Sequence, residues 1–429
     1  MSAAPPTQAP VSVLNVPGLD RRRMDAETMP FLDSLVRSGS IVEWDGHPTT
    51  EIWPTLVTGA NPGQHWIWHC KLADQGKAKC FKDRLLEKLP DRLVATGQIL
   101  RHFVDREFDM PCIPHRRRRH LEFHRLKFNA RSKPEQYRNV GGVDTLFGAL
   151  GDKAEYGVTG QFEDLDKMLG EWPRESTSLD WLEVHCYDIA VHYNVHKDEV
   201  MKQRGRELDD FAKAYHDKCK KLGRRFILVA DHGQEPVADS VNLEKLLKRT
   251  GVDPAEFVHF TAQGVAKFWF RTKEAREKIE QALRASEHLN VLDWKELNER
   301  FDFELDEEWG ELYAIADSGY VFFPHDFHHL LAHLHLGLTN PAMRSRLWSF
   351  NVAAYHGQMP GHPAERGFMV SDDPELEACV AADELVRIVD VAPTLLSLVG
   401  KKAMPHMKGR VVMEAVSDDA DAQNETAVA

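Results

Sequence analysis

In Phe226-Ile-Leu-Val-Ala-Asp-His-Gly-Gln234 a carboxylate and an imidazole stand directly behind a run of apolar residues. A run of that kind reads as a buried, parallel strand, and open α/β sheets bind their ligands at the carboxyl ends of such strands. Asp231 offers a hard oxygen and His232 a borderline nitrogen, and Gly233 permits the turn that lets both reach one ion. A strand-end turn with a capping Asp and a surface His is the alternative for this stretch alone.

Other stretches add candidate ligands. Asp188-Ile-Ala-Val-His192 spaces a carboxylate and an imidazole so that one helical turn faces them the same way. The loop Pro360-Gly-His-Pro-Ala-Glu-Arg366 offers His362 as a third. The expected arrangement is two neighbouring sites, Asp188/His192/His362 and Asp231/His232 plus a hydroxyl. Two metal ions so placed clamp the attacking and leaving oxygens of a phosphoryl displacement, and a hydroxyl activated there becomes the nucleophile.

The elements that must position these groups follow from patterning. Val11 to Val16 reads as a strand ending at Pro17-Gly18, and Met29 to Gly39 as an amphipathic helix with a Gly stop. Ser178 to His185 is a second core strand, and residues 197–222 form a charged helix. Residues 251–345 form an inserted α+β lobe, with a strand at Val265 to Arg271, a helix at Lys273 to Ser286 and a short strand at Tyr320 to Pro324. Asp383 to Leu398 carries a helical pattern with Pro393 at a kink or start. The core comprises 11–250 and 346–412, and the termini 1–10 and 416–429 are expected to be disordered.

Bulk properties narrow the function classes. The chain has 429 residues, 42% hydrophobic and 28% charged, as in soluble globular proteins. A net charge of −13 argues against bulk nucleic-acid binding. No apolar run reaches the ~18 residues of a membrane span. No leader pattern precedes Val11, and the 6 cysteines show no CxxC spacing, so a reduced, cytoplasmic setting is expected. The dense basic run Pro114 to Lys127 reads as a solvated face, with an anion clamp as the sharper alternative. The His-rich Pro324 to His335 reads as part of the lobe, with a further metal site as its alternative.

Taken together, the motifs resemble the alkaline phosphatase superfamily, in its type I phosphodiesterase/nucleotide pyrophosphatase branch. They are Val13 to Leu19, Met29 to Leu35, Thr49 with Thr58-Gly59, Pro62 and His65, Asp188 with His192, Asp231-His232-Gly233, His362, and Asp390 to Leu396. The resemblance implies an α/β fold with a large, mostly parallel sheet between helices. It also implies two divalent metal ions, Zn2+ or Mn2+, and a covalent phospho-threonine intermediate. The family's nucleophile lies nine residues before the Thr of its Thr-Gly element, which is Thr49 here, with Thr50 adjacent. One departure matters: Pro17 stands where the family carries a metal-binding Asp. His65-Trp66 replaces the family's His-Gly. Thr49-Thr-Glu-Ile-Trp-Pro54 lacks the Cys or Ser that a sulfatase requires.

The expected function is a metal-dependent phosphodiesterase or pyrophosphatase acting on a small phosphorylated substrate. The alternatives are a catalytically impaired relative that binds a phosphorylated ligand, favoured by Pro17, and a phosphomonoesterase or phosphomutase.

Overall fold

A computed structural model describes residues 9–49, 52–68, 71–72, 88–94, 96–97, 115–118, 120–122, 137–326 and 352–416. The expected disordered termini lie almost wholly outside the described residues, as do half of the basic run and most of the His-rich tract.

The apolar runs become strands in chain order. β1 (Val11–Asn15), β2 (Ser40–Trp44), β3 (Ala154–Thr159), β4 (Leu179–Val184) and β5 (Arg225–Ala230) come first. The chain then builds a second sheet from β6 (Phe257–Thr261), β7 (Val265–Phe270), β8 (Leu289–Asp293) and β9 (Leu312–Ala316). It returns with β10 (Gly367–Ser371) and β11 (Leu385–Val386). The central sheet has seven strands in the order β11-β2-β10-β5-β1-β4-β3. All run parallel except β10, which lies antiparallel between β2 and β5. The carboxyl ends of β1, β2, β4 and β5 therefore share one edge.

Both faces of this sheet are apolar, as a sheet covered on both sides requires. Val13, Trp181, Ile227 and Val229 belong to one core, beneath α2 (Trp53–Thr58) and a C-terminal helix, Val391–Leu398. Leu14, Leu182 and Leu228 belong to the other, beneath α1 (Pro30–Ser38), α3 (Cys186–Asn194) and α4 (Asp198–Lys221). Alternating residues of β1 thus serve opposite cores, which fixes its register. α1 starts at Pro30, and its first amides are capped from α4: Asp209 accepts from Phe31 N at 3.1 Å and Leu32 N at 2.8 Å.

The expected helix over 383–398 is shorter than its pattern. Leu385–Val386 joins the edge of the sheet, and the helix begins only at Val391. Asp390 turns the chain between them, accepting from Arg387 N at 2.9 Å and Arg410 N at 2.9 Å. The second sheet is antiparallel, in the order β6-β7-β9-β8. It packs against the helices Leu243–Arg249 and Lys273–Arg284.

Candidate metal centre

β4 and β5 deliver their acids to the shared edge. Four residues beyond Val184, Asp188 sits in the first turn of α3, and His192 lies one turn further on. Asp188 Oδ2 is 3.4 Å from His192 Nε2. β5 runs directly into Asp231-His232. Asp188, His232 and His356 each place a ligand atom within 4.8 Å of the others, all three buried. His356 follows the short strand Ala354–Tyr355, which pairs antiparallel with Glu235–Pro236, just beyond His232. That pairing carries His356 across to His232, and their rings stack with centroids 3.5 Å apart.

The residues fit a cation of the zinc class. His192 Nδ1 is bonded to Ala354 O at 2.8 Å, and His232 Nδ1 to Gly233 O at 2.9 Å. Imidazoles that bond a backbone carbonyl in this way present Nε2 in a fixed orientation, as metal-ligating histidines do. His356 Nδ1 is buried with no hydrogen-bond partner. Burial alone would raise the Asp188 carboxyl, but the charges of His192, His185 and His356 and the His192 hydrogen bond outweigh it and hold Asp188 well below the usual carboxylate range. Burial opposes an imidazolium at His192, yet Asp188 draws its pKa upward. Burial, then the charge of His232, pushes His356 well below the ordinary histidine value. A neutral imidazole beside a carboxylate that stays ionised suits ligation.

The remaining sequence-predicted residues divide. Asp231 is buried next to His232, and its Oδ1 accepts from His232 N at 3.0 Å. Thr49 is 1% exposed, on the loop between β2 and α2 that leaves the same sheet edge. That edge is tied together by Trp44, whose Nε1 donates to Asp231 O at 3.1 Å. Thr50 lies outside the described residues. His362 is not brought to the cluster: its side chain is 42% exposed and 3.9 Å from Glu235. It caps the short turn Pro363–Glu365 instead, accepting from Ala364 N at 3.2 Å. His356 stands where His362 was expected. The signal was available: Val352-Ala-Ala-Tyr355 then His356-Gly357 repeats the pattern of Phe226–Ala230 before Asp231, His232 and Gly233.

Among the described residues of the basic run, Arg117 and Arg118 form neither the solvated face expected nor an open anion clamp, because both are buried against internal partners. Arg117 is 5% exposed and forks onto Asp326 at 2.8 and 2.9 Å. Arg118 is also buried, against Leu89 O and Asp91. In the His-rich tract the described Asp326 is thus an arginine partner, and residues from 327 lie outside the described set.

The profile of the type I phosphodiesterase / nucleotide pyrophosphatase family matches residues 11–329. The chain belongs to that family. Among curated proteins, none matches it significantly. Among solved structures it is similar to murine ectonucleotide pyrophosphatase / phosphodiesterase 5, with 14% identity and a TM-score of 0.61 over 92% of this chain and 96% of that one. An inactive form of the murine protein with threonine replaced by alanine, in complex with AMP, gives 14% and 0.62 over 93% and 97%. The human protein gives 15% and 0.60 over 93% and 97%. Identities this low speak to the fold, and the fold is the alkaline-phosphatase-like one expected from the motifs. Among the described residues, no helix is long and apolar enough to cross a membrane.

Proposed function

We propose that this family member is a metal-dependent phosphodiesterase or pyrophosphatase that works through Thr49. The observation that carries the reading is the convergence of Asp188, His232 and His356 within 4.8 Å at the edge from which the Thr49 loop departs. Asp188, His192, His232 and His356 would hold one divalent cation, Zn2+ or Mn2+, and Asp231 a second beside it. Bound cations supply Lewis acidity at the phosphoryl oxygens and offset the charge of the transition state. The Thr49 oxygen attacks phosphorus, the ester or phosphoanhydride oxygen opposite leaves, and water then cleaves the phospho-threonine to release a monoester. Asp188 and Asp231 supply negative charge where cations must gather. Burial keeps bulk water away from His232 and His356.

The substrate we propose is a small phosphorylated molecule; the AMP complex of the murine protein favours a nucleotide. A cytoplasmic setting agrees with the free thiols of Cys186, Cys219 and Cys379. The second reading, a ligand-binding relative with impaired catalysis, is favoured by Pro17, which lies buried just past the carboxyl end of β1 and offers no donor.

Hydrolysis of bis(p-nitrophenyl) phosphate, titrated with Zn2+ and Mn2+ beside Thr49→Ala, tests the proposal. Metal-dependent turnover that disappears in the variant is expected. Turnover that survives would move the nucleophile to Thr50 or contradict the covalent route. No turnover with any metal would favour the ligand-binding reading.

A further inference from the structure

Lys267 is a cation in the middle of β7, and it is 0% exposed. Burying an ammonium is costly unless polar partners replace its water. Its Nζ donates to Trp68 O at 2.7 Å and stands 3.9 Å from the centre of the Trp68 ring, with the Trp309 ring at 5.4 Å. One charge therefore grips both the backbone and the indole face of Trp68, through a charge-assisted hydrogen bond and a cation–π contact. Trp68 follows the short helix Pro62–His65 of the core, whereas Lys267 belongs to the second sheet, so the grip joins lobe to core.

Trp68 passes this restraint to the loop of Thr49. It is 0% exposed, and its Nε1 donates to Pro48 O at 3.2 Å. Pro48 immediately precedes Thr49, whose own amide donates to His47 O at 2.7 Å. Proline has no N–H, so its carbonyl is the backbone handle by which this residue can be held. Phe303 packs edge-on to the Trp68 ring at 5.1 Å and to the His47 ring at 4.7 Å. Asn298, on the helix Trp294–Phe301, sets the Phe303 loop: its Nδ2 donates to Leu305 O at 2.7 Å and its Oδ1 accepts from Leu305 N at 2.8 Å. Gly63 N closes the joint by donating to Phe303 O at 2.9 Å. A Cβ on Gly63 would lie 2.0 Å from Glu304 O, so the approach requires glycine.

We infer that Lys267 and Trp68 are positioning residues for Thr49, and that the α+β lobe belongs through them to the catalytic apparatus. The inference rests on the reading of Thr49 as the nucleophile. A nucleophile displaced by about 1 Å loses on the order of a hundredfold in rate. An apolar side chain at 267 would fill the same space without desolvating a charge; it would lack the grip on Trp68.

The test compares wild type, Trp68→Phe, Lys267→Met and the double variant, each as the full chain. Trp68→Phe keeps an aromatic ring and removes the donor to Pro48 O. Lys267→Met keeps the stem and removes the cation. Hydrogen exchange followed by mass spectrometry reads the loop without requiring turnover. The peptide carrying Thr49 should exchange about fivefold faster or more in each variant, while the Phe226 to Ala230 peptide exchanges as in wild type. With bis(p-nitrophenyl) phosphate and saturating Zn2+, kcat should fall roughly ten- to a hundredfold, with KM and zinc affinity within about twofold. The double variant should lose no more than the worse single variant, because Lys267 acts through Trp68. Unchanged exchange at Thr49 would overturn the inference, as would faster exchange spread equally over β5. Additive losses in kcat, or a raised KM at unchanged kcat, would overturn it too. Failure of the underlying reading shows separately, as turnover that survives Thr49→Ala or as a wild type inert with Zn2+ and Mn2+, in either case with the exchange contrast intact.

Discussion

His232 and His356 stack with their rings 3.5 Å apart and 11° from parallel, although one follows a parallel strand and the other precedes the antiparallel β10. The stack depends on the short pairing of Glu235–Pro236 with Ala354–Tyr355, which joins the two loops immediately beside the histidines. Replacing His356 with Ala should lower zinc affinity by roughly a hundredfold or more and abolish turnover of the diester. His362→Ala should leave both within a few-fold, because that side chain faces solvent near Glu235. Isothermal titration of the two variants with Zn2+ checks the contrast.

Gly18 leaves the room that the Asp188 carboxylate occupies. Its φ is +73°, and a Cβ there would lie 2.8 Å from both Asp188 Oδ1 and Gln234 Nε2. Gln234 Nε2 in turn donates to Asp188 Oδ1 at 2.5 Å and to Asp188 O at 3.1 Å. Gly18→Ala should therefore cost about 1–3 kcal/mol of stability through strain and weaken metal binding as the carboxylate is displaced. Denaturant unfolding and metal titration of the variant read the two effects independently.

What could be read from the chain follows from where the information lies. The run Phe226–Ala230 is apolar at every position because β5 is covered on both faces, so strand and edge were plain. The spacing of Asp188 and His192 survives folding because both lie on α3. His356 is marked in the sequence only by the short apolar stretch Val352 to Tyr355 before it, and its placement depends on a two-residue antiparallel pairing between loops distant in sequence, which periodicity does not encode. His362 lies in a Pro- and Gly-rich loop whose composition encodes a turn, and the His serves as its cap. The helix expected from Asp383 failed for a related reason: its apolar residues were shared between an edge strand and a shorter helix.

Arg224 ties the amino ends of three strands. Its guanidinium donates to Ser12 Oγ at 2.6 Å, Val11 O at 2.9 Å and Thr177 O at 2.8 Å, and pairs with Asp180 at 2.7 Å. Both partners of the ion pair are sealed from water, 1% and 0% exposed. Arg224→Met leaves Asp180 as an uncompensated buried charge, and about 3–5 kcal/mol of stability should be lost. The pair lies at the sheet edge opposite the cluster, so activity of the folded variant should remain. Chemical unfolding alongside activity at low temperature checks both parts.

Glu365 makes stability depend on pH. Burial raises its carboxyl from 4.5 to about 8, against the opposing hydrogen bonds from Gly357 N and Ser318 Oγ. A carboxyl raised in the folded state favours the native protein most when protonated. This contribution is therefore complete below pH 4.5 and is lost as pH rises toward about 8. Glu365→Gln should flatten that part of the profile, measured as the melting temperature between pH 5 and 9, once the other titrating groups common to both proteins are subtracted. An unchanged slope in the variant would assign it elsewhere.

Asp188, His192, His232 and His356 are proposed to hold a divalent cation. Anomalous diffraction at the zinc edge from crystals of the zinc-loaded protein tests it most directly. A peak is expected about 2.0–2.2 Å from an Asp188 oxygen and from a His356 nitrogen, the distances of protein-bound zinc. A peak at His362, or crystals loaded with zinc that show none between Asp188 and His356, would contradict it.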